Sequence, residues 1–292
     1  MRAFLIDGTY ELFRQFYGAQ RHRSADSMTT AGVTGVLSSV LQLIEDGATH
    51  VGVATDHVIE SFRNDLWAGY KTGAGIDPVL RAQFEPLELA LTALGVVVWP
   101  MVDVEADDAL ASAARVCHDD PGCEQVVICT PDKDLAQCVR GGEVVQLDRM
   151  RNVVIDADGV MSKYGVPPES IPDWLALVGD SADGFPGLPG WGAKSAAGVL
   201  RRFGTVEAIP DDAAAWDGAN VRGGLALASV LATHRQEAML FKRLATLVVD
   251  PSILPGGFPS LRWDGPTEDF PAVADALEAP ALAARAARAA RA

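Results

Sequence analysis

Cysteine and long apolar runs are scarce in this sequence. The four cysteines form no C-x-x-C pair, which argues against a zinc site or a disulfide framework. No apolar stretch reaches membrane-spanning length, and the run from Met1 to Asp7 is too short for the core of a signal peptide. We therefore expect a cytoplasmic protein without a membrane partner and with reduced thiols, which are Cys117, Cys123, Cys129 and Cys138.

Positive charge is also in short supply. Lysine and arginine number 24 against 39 aspartates and glutamates, which gives a formal net charge of −15. Proteins that bind nucleic acid normally use basic patches. Bound divalent cations would invert the local field of clustered acids, so a polyanionic substrate is not excluded. The charge balance predicts binding that depends on metal ions and a few placed cationic groups, without a long basic groove.

Apolar residues are abundant enough for a large core. The chain has 292 residues, of which 49% are hydrophobic and 22% charged. This composition is not that of a disordered protein, and the length exceeds the usual size of one domain. We expect one large domain with a smaller one appended.

Three short apolar runs that we interpret as strands each end next to an aspartate. Ligands of an open α/β sheet gather outside the carboxyl ends of its strands, so we expect these acids to converge on one crevice. A helix cap or a solvated turn would explain any one of them. The runs are Arg2 to Asp7, His50 to Ala54 with Asp56 after it, and Val126 to Cys129 with Asp132 and Asp134 after it.

The stretch V-D-V-E-A-D-D-A-L opens a predicted amphipathic helix with Glu105, Asp107 and Asp108. Carboxylates gathered at one crevice repel one another and cannot all stay ionised unless cations neutralise them. Hard oxygen ligands favour Mg²⁺ or Mn²⁺. The alternative is that these acids only complement the dipole of the helix.

A second, helical module is predicted beyond a shift in composition near Tyr164 to Pro168. There the sequence indicates a helix, a Gly/Pro-rich hairpin and another helix, with Asp180 and Asp183 near the end of the first. A glycine-rich turn at a helix N-terminus can hold a phosphate through its N–H groups, although it can also be a simple capped hairpin. The candidate contacts are Gly187, Gly190, Gly192, Lys194 and Ser195.

A few cationic and aromatic side chains lie around a glycine-containing segment, Gly69 to Pro78, which we expect to be exposed and mobile before a helix from about Val79 to Leu94. Such side chains suit phosphate contact and base stacking. For any one of them taken alone, an ordinary solvated surface position is the favoured interpretation. They are Arg63, Tyr70, Lys71 and Arg81.

The ordered combination of motifs resembles the 5′ nuclease (flap endonuclease) family, especially the bacterial branch typified by the nuclease domain of DNA polymerase I. The motifs are I-D-G, a strand ending at Asp56 with S-F-R and Y-K after it, E-A-D-D, T-P-D-K-D-L, and G-D-x-x-D followed by P-G-x-x-G-x-G-x-K-S-A. They span about residues 1 to 210. No polymerase domain follows, so the chain resembles the freestanding form.

The resemblance implies an α/β fold with two domains and an extension. Residues 1–165 would form a PIN-like domain with a central, mostly parallel sheet flanked by helices. Residues 166–250 would form a helix-three-turn-helix DNA-binding module, and residues 251–292 a C-terminal extension. Its Ala/Arg tail, with Arg285, Arg288 and Arg291, suits either a basic arm on DNA or a frayed terminal helix.

Nine acids match the family's positions for two or more Mg²⁺ or Mn²⁺ ions. The first ion position is matched by Asp7, Asp56 and Asp107, and the second by Asp107, Asp132 and Asp134. Asp183 and Glu105 would act directly or through water, and Asp108 and Asp180 match additional acids of the bacterial branch. Lys71 matches the lysine that contacts the scissile phosphate, and Tyr70 the neighbouring aromatic residue. The hairpin at Gly190 and Gly192 matches the turn that binds duplex DNA, often with a monovalent cation such as K⁺.

The implied activity is two-metal hydrolysis of DNA phosphodiesters at 5′ ends, flaps or gaps, in DNA replication and repair, with RNA/DNA hybrids as a further substrate and a monomer favoured. Two departures bear on efficiency: Ala74 stands where the family has an arginine, and Gly184 where it has an asparagine. One alternative is a catalytically inactive nucleic-acid-binding paralogue. Another is a haloacid-dehalogenase-like phosphatase, whose nucleophile position is occupied here by Leu5.

Overall fold

The computed structural model describes residues 1–20, 28–219 and 221–291. Across these residues, every helix is too short or too polar to cross a membrane. The strands are β1 (Arg2–Asp7), β2 (His50–Asp56), β3 (Val97–Met101), β4 (Gln125–Cys129), β5 (Val144–Asp148) and β6 (Val153–Ile155). The helices are α1 (Gly8–Ala19), α2 (Ala31–Glu45), α3 (Phe62–Leu66), α4 (Pro78–Arg81), α5 (Phe84–Ala93), α6 (Ala106–His118), α7 (Ala157–Tyr164), α8 (Ile171–Val178), α9 (Ala193–Phe203), α10 (Gly224–Ala245), α11 (Phe270–Ala276) and α12 (Pro280–Ala289).

The chain forms two compact units, each assembled from segments that are distant in sequence. The first unit comprises Met1–Ile59, Gly73–Thr130 and Val248–Ala292, and the second comprises Glu60–Thr72 and Pro131–Leu247. The boundaries proposed above at residues 165 and 250 therefore stay predictions, because compactness groups the chain differently from sequence order.

Parallel strands in the order β3-β2-β1-β4 form the centre of the first unit. Almost all residues of β1 and every residue of β2 are buried, as expected for parallel strands covered on both faces. The register pairs Asp7 with Ala54, so the carboxyl ends of β1 and β2 lie at the same edge of the sheet. The predicted strands are confirmed, with β2 running two residues further than expected, to Asp56.

The single helix expected from Val79 to Leu94 is wrong, because it is divided into α4 and α5. Gln83 lies at the break and is almost fully buried. Its Oε1 accepts a hydrogen bond from the backbone N of Gly32 at 2.9 Å, and its Nε2 donates to the carbonyl O of Met28 at 2.9 Å. Gln83 therefore satisfies polar groups at the start of α2, a tertiary role that helical periodicity does not reveal.

The C-terminal segment ends in a packed helix, so the frayed-helix interpretation is wrong. Helix α12 packs against α2 and α11, with Leu282 and Ala286 buried. Arg285 donates to Glu45 Oε2 at 2.7 Å and to Ser38 Oγ at 2.7 Å. The hydrogen bond from Arg285 lowers the pKa of Glu45. Arg285, the first of the three tail arginines, is therefore hydrogen-bonded within the first unit.

The second unit combines an antiparallel pair, β5 and β6, with a helical bundle. Helices α8 and α9 flank the Gly/Pro-rich hairpin, which confirms the predicted helix, hairpin and helix. Gly187 is buried with φ of 69°, and a Cβ there would lie 2.4 Å from the backbone N of Gly179. The two arms of the hairpin therefore approach so closely that only glycine fits at this point.

Packing, more than charge, should hold the C-terminal helix. We expect Leu282→Ala to lower the free energy of unfolding by about 2–4 kcal/mol, because it leaves a cavity under α12. Arg285→Ala should cost under about 1 kcal/mol, because its ion pair with Glu45 is partly exposed. Urea denaturation measures both, with Leu225→Ala, at an 80% exposed leucine, as the control. Equal losses for Leu282→Ala and Leu225→Ala would contradict this packing.

Candidate metal centre and nucleic-acid interface

The acids that end β1 and β2 are buried and hydrogen-bonded. Asp7 Oδ1 accepts from the backbone N of Tyr10 at 2.8 Å, which caps α1, and Asp7 Oδ2 accepts from Thr130 Oγ1 at 3.0 Å. Asp56 Oδ1 accepts from the backbone N of Ala106 at 2.8 Å. The two carboxylates are 7% and 9% exposed, so each is fixed at the strand edge by a neighbouring helix or loop.

The acids at the start of α6 differ in exposure. Asp108 is 1% exposed, and its two oxygens accept from the backbone N of Glu105 at 2.9 Å and of Val248 at 2.8 Å. These two hydrogen bonds fix the Asp108 carboxylate at the start of α6. Glu105 is also buried, whereas Asp107 is partly exposed.

Three carboxylates converge in the second unit. One oxygen from each of Asp134, Asp180 and Asp183 lies within 4.8 Å of the others, and all three residues are buried. Asp134 Oδ1 has no hydrogen-bond partner within the described parts of the chain. Asp132 is exposed, and its Oδ1 accepts from the backbone N of Asp134 at 2.9 Å. A buried, unsatisfied carboxylate oxygen among other carboxylates fits a hard divalent cation.

Charge in this cluster is strongly perturbed. Burial raises the pKa of Asp134 well above its usual value, and the charges of Asp132, Asp183 and Asp180 raise it further. Lys71 Nζ lies 3.2 Å from Asp183 Oδ1, and Lys133 Nζ lies 2.7 Å from Asp180 Oδ2. Burial is the largest single effect on Lys133 and would lower its pKa, but the hydrogen bond to Asp180 and the charges of Asp180, Asp134 and Asp132 together outweigh burial, so the pKa is raised. Two lysines thus partly neutralise the carboxylates.

Two of the residues predicted to contact nucleic acid are buried in the second unit, so those predictions are wrong. Arg63 is 1% exposed, and its guanidinium donates to the carbonyl O of Leu244 at 2.8 Å and of Thr246 at 3.2 Å. Tyr70 is 4% exposed and belongs to the hydrophobic core of this unit. Arg63 therefore caps the C-terminal end of α10, and the ring of Tyr70 is not available for stacking on a base.

The hairpin offers an open surface next to the N-terminus of α9. Gly190, Gly192, Lys194 and Arg222 line a cavity of about 690 Å³, together with Ser195, Ala193 and Val221. Ser195 Oγ accepts from the backbone N of Gly192 at 3.0 Å and donates to its carbonyl O at 2.9 Å. Gly187 is buried and packs within the hairpin, which corrects the prediction that it contacts a ligand.

Two cationic side chains near these sites were not predicted from the sequence. Lys133 lies inside the T-P-D-K-D motif, and its position between two aspartates was the available signal. Arg222 follows no motif, and only the fold places it beside Lys194. The predicted Arg81 is exposed at the end of α4, in the first unit.

Acids at the carboxyl ends of parallel strands, together with a helical hairpin module, define the class as an α/β protein with a PIN-like domain. The sequence matches the family model "5'-3' exonuclease, N-terminal resolvase-like domain" over residues 2–165. It matches "5'-3' exonuclease, C-terminal SAM fold" over residues 166–268. The chain belongs to the 5′-3′ exonuclease family.

Curated relatives include freestanding and fused proteins. The chain is 30% identical to a 5′-3′ exonuclease of Buchnera aphidicola subsp. Baizongia pistaciae, with 84% of this chain and 81% of the relative covered. It is 36% identical to DNA polymerase I of Pseudomonas aeruginosa, with 84% of this chain covered. The matched region spans only 27% of that polymerase.

Solved structures share the fold. Phage T5 5′-exonuclease with bound zinc matches with a TM-score of 0.68 at 18% identity, over 96% of this chain and all of that chain. The catalytic core of Rad2 in complex with DNA substrate matches with a TM-score of 0.60 at 16% identity, over 94% of this chain and 87% of that chain.

Removing one charge from the carboxylate cluster should stabilise the metal-free protein. A raised carboxyl pKa means that the folded state binds the proton more tightly, so stability is fully present below the ordinary pKa and falls as pH rises through the raised value. We expect Asp134→Asn to lack this decline and to gain roughly 1–3 kcal/mol at pH 7. Urea denaturation in EDTA between pH 4 and 8 tests this.

Asp217→Asn, at an exposed aspartate of the same unit, is the matched control and should follow the wild type. A loss of stability in Asp134→Asn at pH 7, with the pH dependence unchanged, would show that repulsion among the carboxylates does not destabilise the folded protein.

Arg63 should matter for stability far more than an exposed arginine does. Arg63→Ala removes hydrogen bonds to the buried carbonyl of Leu244 and the partly buried carbonyl of Thr246 and opens a cavity, so we expect a loss of roughly 2–4 kcal/mol. Arg81→Ala, the exposed control, should stay within about 0.5 kcal/mol of the wild type. Thermal and urea unfolding compare them, and equal stability of the two variants would contradict the capping role of Arg63.

Proposed function

We propose that this chain is a metal-dependent 5′ nuclease that hydrolyses DNA phosphodiesters at 5′ ends and flaps. The observation that carries the proposal is the buried trio Asp134, Asp180 and Asp183 with Lys71 beside it. Membership of the 5′-3′ exonuclease family supports it. So do the matched structures, which are T5 5′-exonuclease with bound zinc and the Rad2 catalytic core with a DNA substrate.

Each unit carries its own set of candidate metal ligands. Asp134, Asp180 and Asp183 form the set in the second unit, with Asp132 as an exposed neighbour. The set in the first unit is Asp7, Asp56, Glu105, Asp107 and Asp108. Two or more Mg²⁺ or Mn²⁺ ions fit these all-oxygen ligands. When bound, such ions lower the pKa of water and stabilise charge on the scissile phosphate and the leaving 3′ oxygen.

Lys71 would contribute from the protein side. Its Nζ is 3.2 Å from Asp183 Oδ1, so a cation bound by Asp183 would compete with the lysine and leave Nζ available to a phosphate oxygen. A preorganised cation at that position stabilises negative charge that develops in the transition state. By family resemblance, the products carry a 5′-phosphate and a 3′-hydroxyl.

Duplex DNA would bind at the hairpin cavity. Backbone N–H groups near Gly190 and Gly192, with Lys194 and Arg222, suit a phosphate and read no base. Carbonyl oxygens of the same turn are candidate ligands for K⁺. Arg81 in the first unit is a further phosphate contact. We also propose action on RNA/DNA hybrids, a monomeric enzyme, and a cytoplasmic role in DNA replication and repair.

Cleavage of a 5′-flap DNA with Mn²⁺ or Mg²⁺ tests the proposal. We expect the wild type to cleave, and Asp107→Asn and Asp183→Asn each to lose at least about 100-fold in kcat, because ligand loss should exceed the 10–100-fold cost of losing a supporting residue. Asp103→Asn, at an exposed aspartate four residues before Asp107, is the matched control and should keep full activity.

Three outcomes would contradict the nuclease proposal. Cleavage unaffected by Asp107→Asn and Asp183→Asn would exclude these acids from the site. Binding of the flap DNA without cleavage in either metal would favour the alternative of an inactive nucleic-acid-binding paralogue. Activity confined to small phosphomonoesters would indicate a phosphatase.

A further inference from the structure

The segment that carries Lys71 belongs structurally to the helical unit. Glu60–Thr72 groups with Pro131–Leu247, and it is separated from that stretch by 58 residues of the first unit. Buried Arg63 attaches this segment to the end of α10 through the carbonyls of Leu244 and Thr246. Asn64 Nδ2 donates to the carbonyl O of Lys71 at 2.9 Å. The backbone at Lys71 is therefore fixed from inside its own segment.

Trp67 makes a second attachment, to the loop that carries Asp183 of the carboxylate trio. Its indole Nε1 donates to the carbonyl O of Gly184 at 3.0 Å. Its ring meets Phe241 of α10 edge to face, with the ring centroids 5.2 Å apart. The indole N–H thus aims at the residue next to Asp183, while the ring is held by the helix.

The same loop approaches the Lys71 segment at two more points. Lys71 N donates to the carbonyl O of Asp183 at 3.0 Å. Gly184 has φ of 82°, and a Cβ there would lie 2.0 Å from the carbonyl O of Gly69. Glycine at position 184 is required by this contact, which gives a structural reason for its departure from the family's asparagine.

We propose that Trp67 is a positioning residue for catalysis: its bond to Gly184 sets the separation between the Lys71 ammonium and the Asp183 carboxylate. A shift of the 183–184 backbone would move the acceptor of Lys71 N and the Asp183 side chain together, so loss of the indole bond loosens both partners. The inference rests on the proposed function, because it gives Lys71 and Asp183 their roles in phosphodiester hydrolysis.

Trp67→Phe tests the bond while keeping an aromatic ring against Phe241. We expect kcat on 5′-flap DNA to fall about tenfold with KM within about twofold, because a tenfold loss corresponds to one hydrogen bond of about 1.4 kcal/mol. Trp216→Phe is the matched control: Trp216 Nε1 donates to the carbonyl O of Pro210 at 2.8 Å in the same unit, and this acceptor belongs neither to the Lys71 segment nor to the 183–184 backbone. It should leave kcat per folded molecule unchanged.

A double-mutant cycle with Lys71→Ala shows whether Trp67 acts through Lys71. If it does, Trp67→Phe causes a clearly smaller fold-loss of kcat in the Lys71→Ala background than in the wild type. Multiplicative losses in the cycle, or equal losses of kcat in Trp67→Phe and Trp216→Phe, would overturn the inference. A wild type that does not cleave the flap would instead overturn the proposed function, so the two failures are distinguishable.

Discussion

Repulsion among buried carboxylates is the constraint on which the second unit depends. One carboxylate oxygen from each of Asp134, Asp180 and Asp183 lies within 4.8 Å of the others. Asp180 and Phe185 exchange two backbone hydrogen bonds, which closes the loop that carries Asp183. The conflict this creates is only partly relieved by Lys71 and Lys133, and a divalent cation would remove the rest.

In the first unit the acids also have a structural function. Asp7 caps α1, Asp56 accepts from the start of α6, and Asp108 joins that start to Val248. Substituting one of these residues should therefore affect folding as well as any metal site. Asp134 of the trio differs from them, because its pKa is raised and its Oδ1 has no hydrogen-bond partner among the residues that the structure describes.

Much of the fold could be predicted from the sequence, because apolar periodicity and turn residues are local signals. The strands ending at Asp7 and near Asp56, and the Gly/Pro-rich hairpin, follow from such signals. Burial of polar residues did not follow. Arg63 is charged in the sequence, but its acceptors, such as Leu244, lie 181 residues further along the chain. The predictions of one continuous helix through Gln83 and of a base contact by Tyr70 failed for the same reason, since the position of each residue depends on tertiary partners.

The central claim is that the trio in the second unit binds a divalent cation. A crystal structure grown with Mn²⁺ and recorded with anomalous scattering tests it most directly. The account predicts an anomalous peak within about 2.5 Å of carboxylate oxygens of Asp134, Asp180 and Asp183. Mn²⁺ peaks elsewhere, with these three carboxylates still bound only by Lys71, Lys133 and protons, would contradict it.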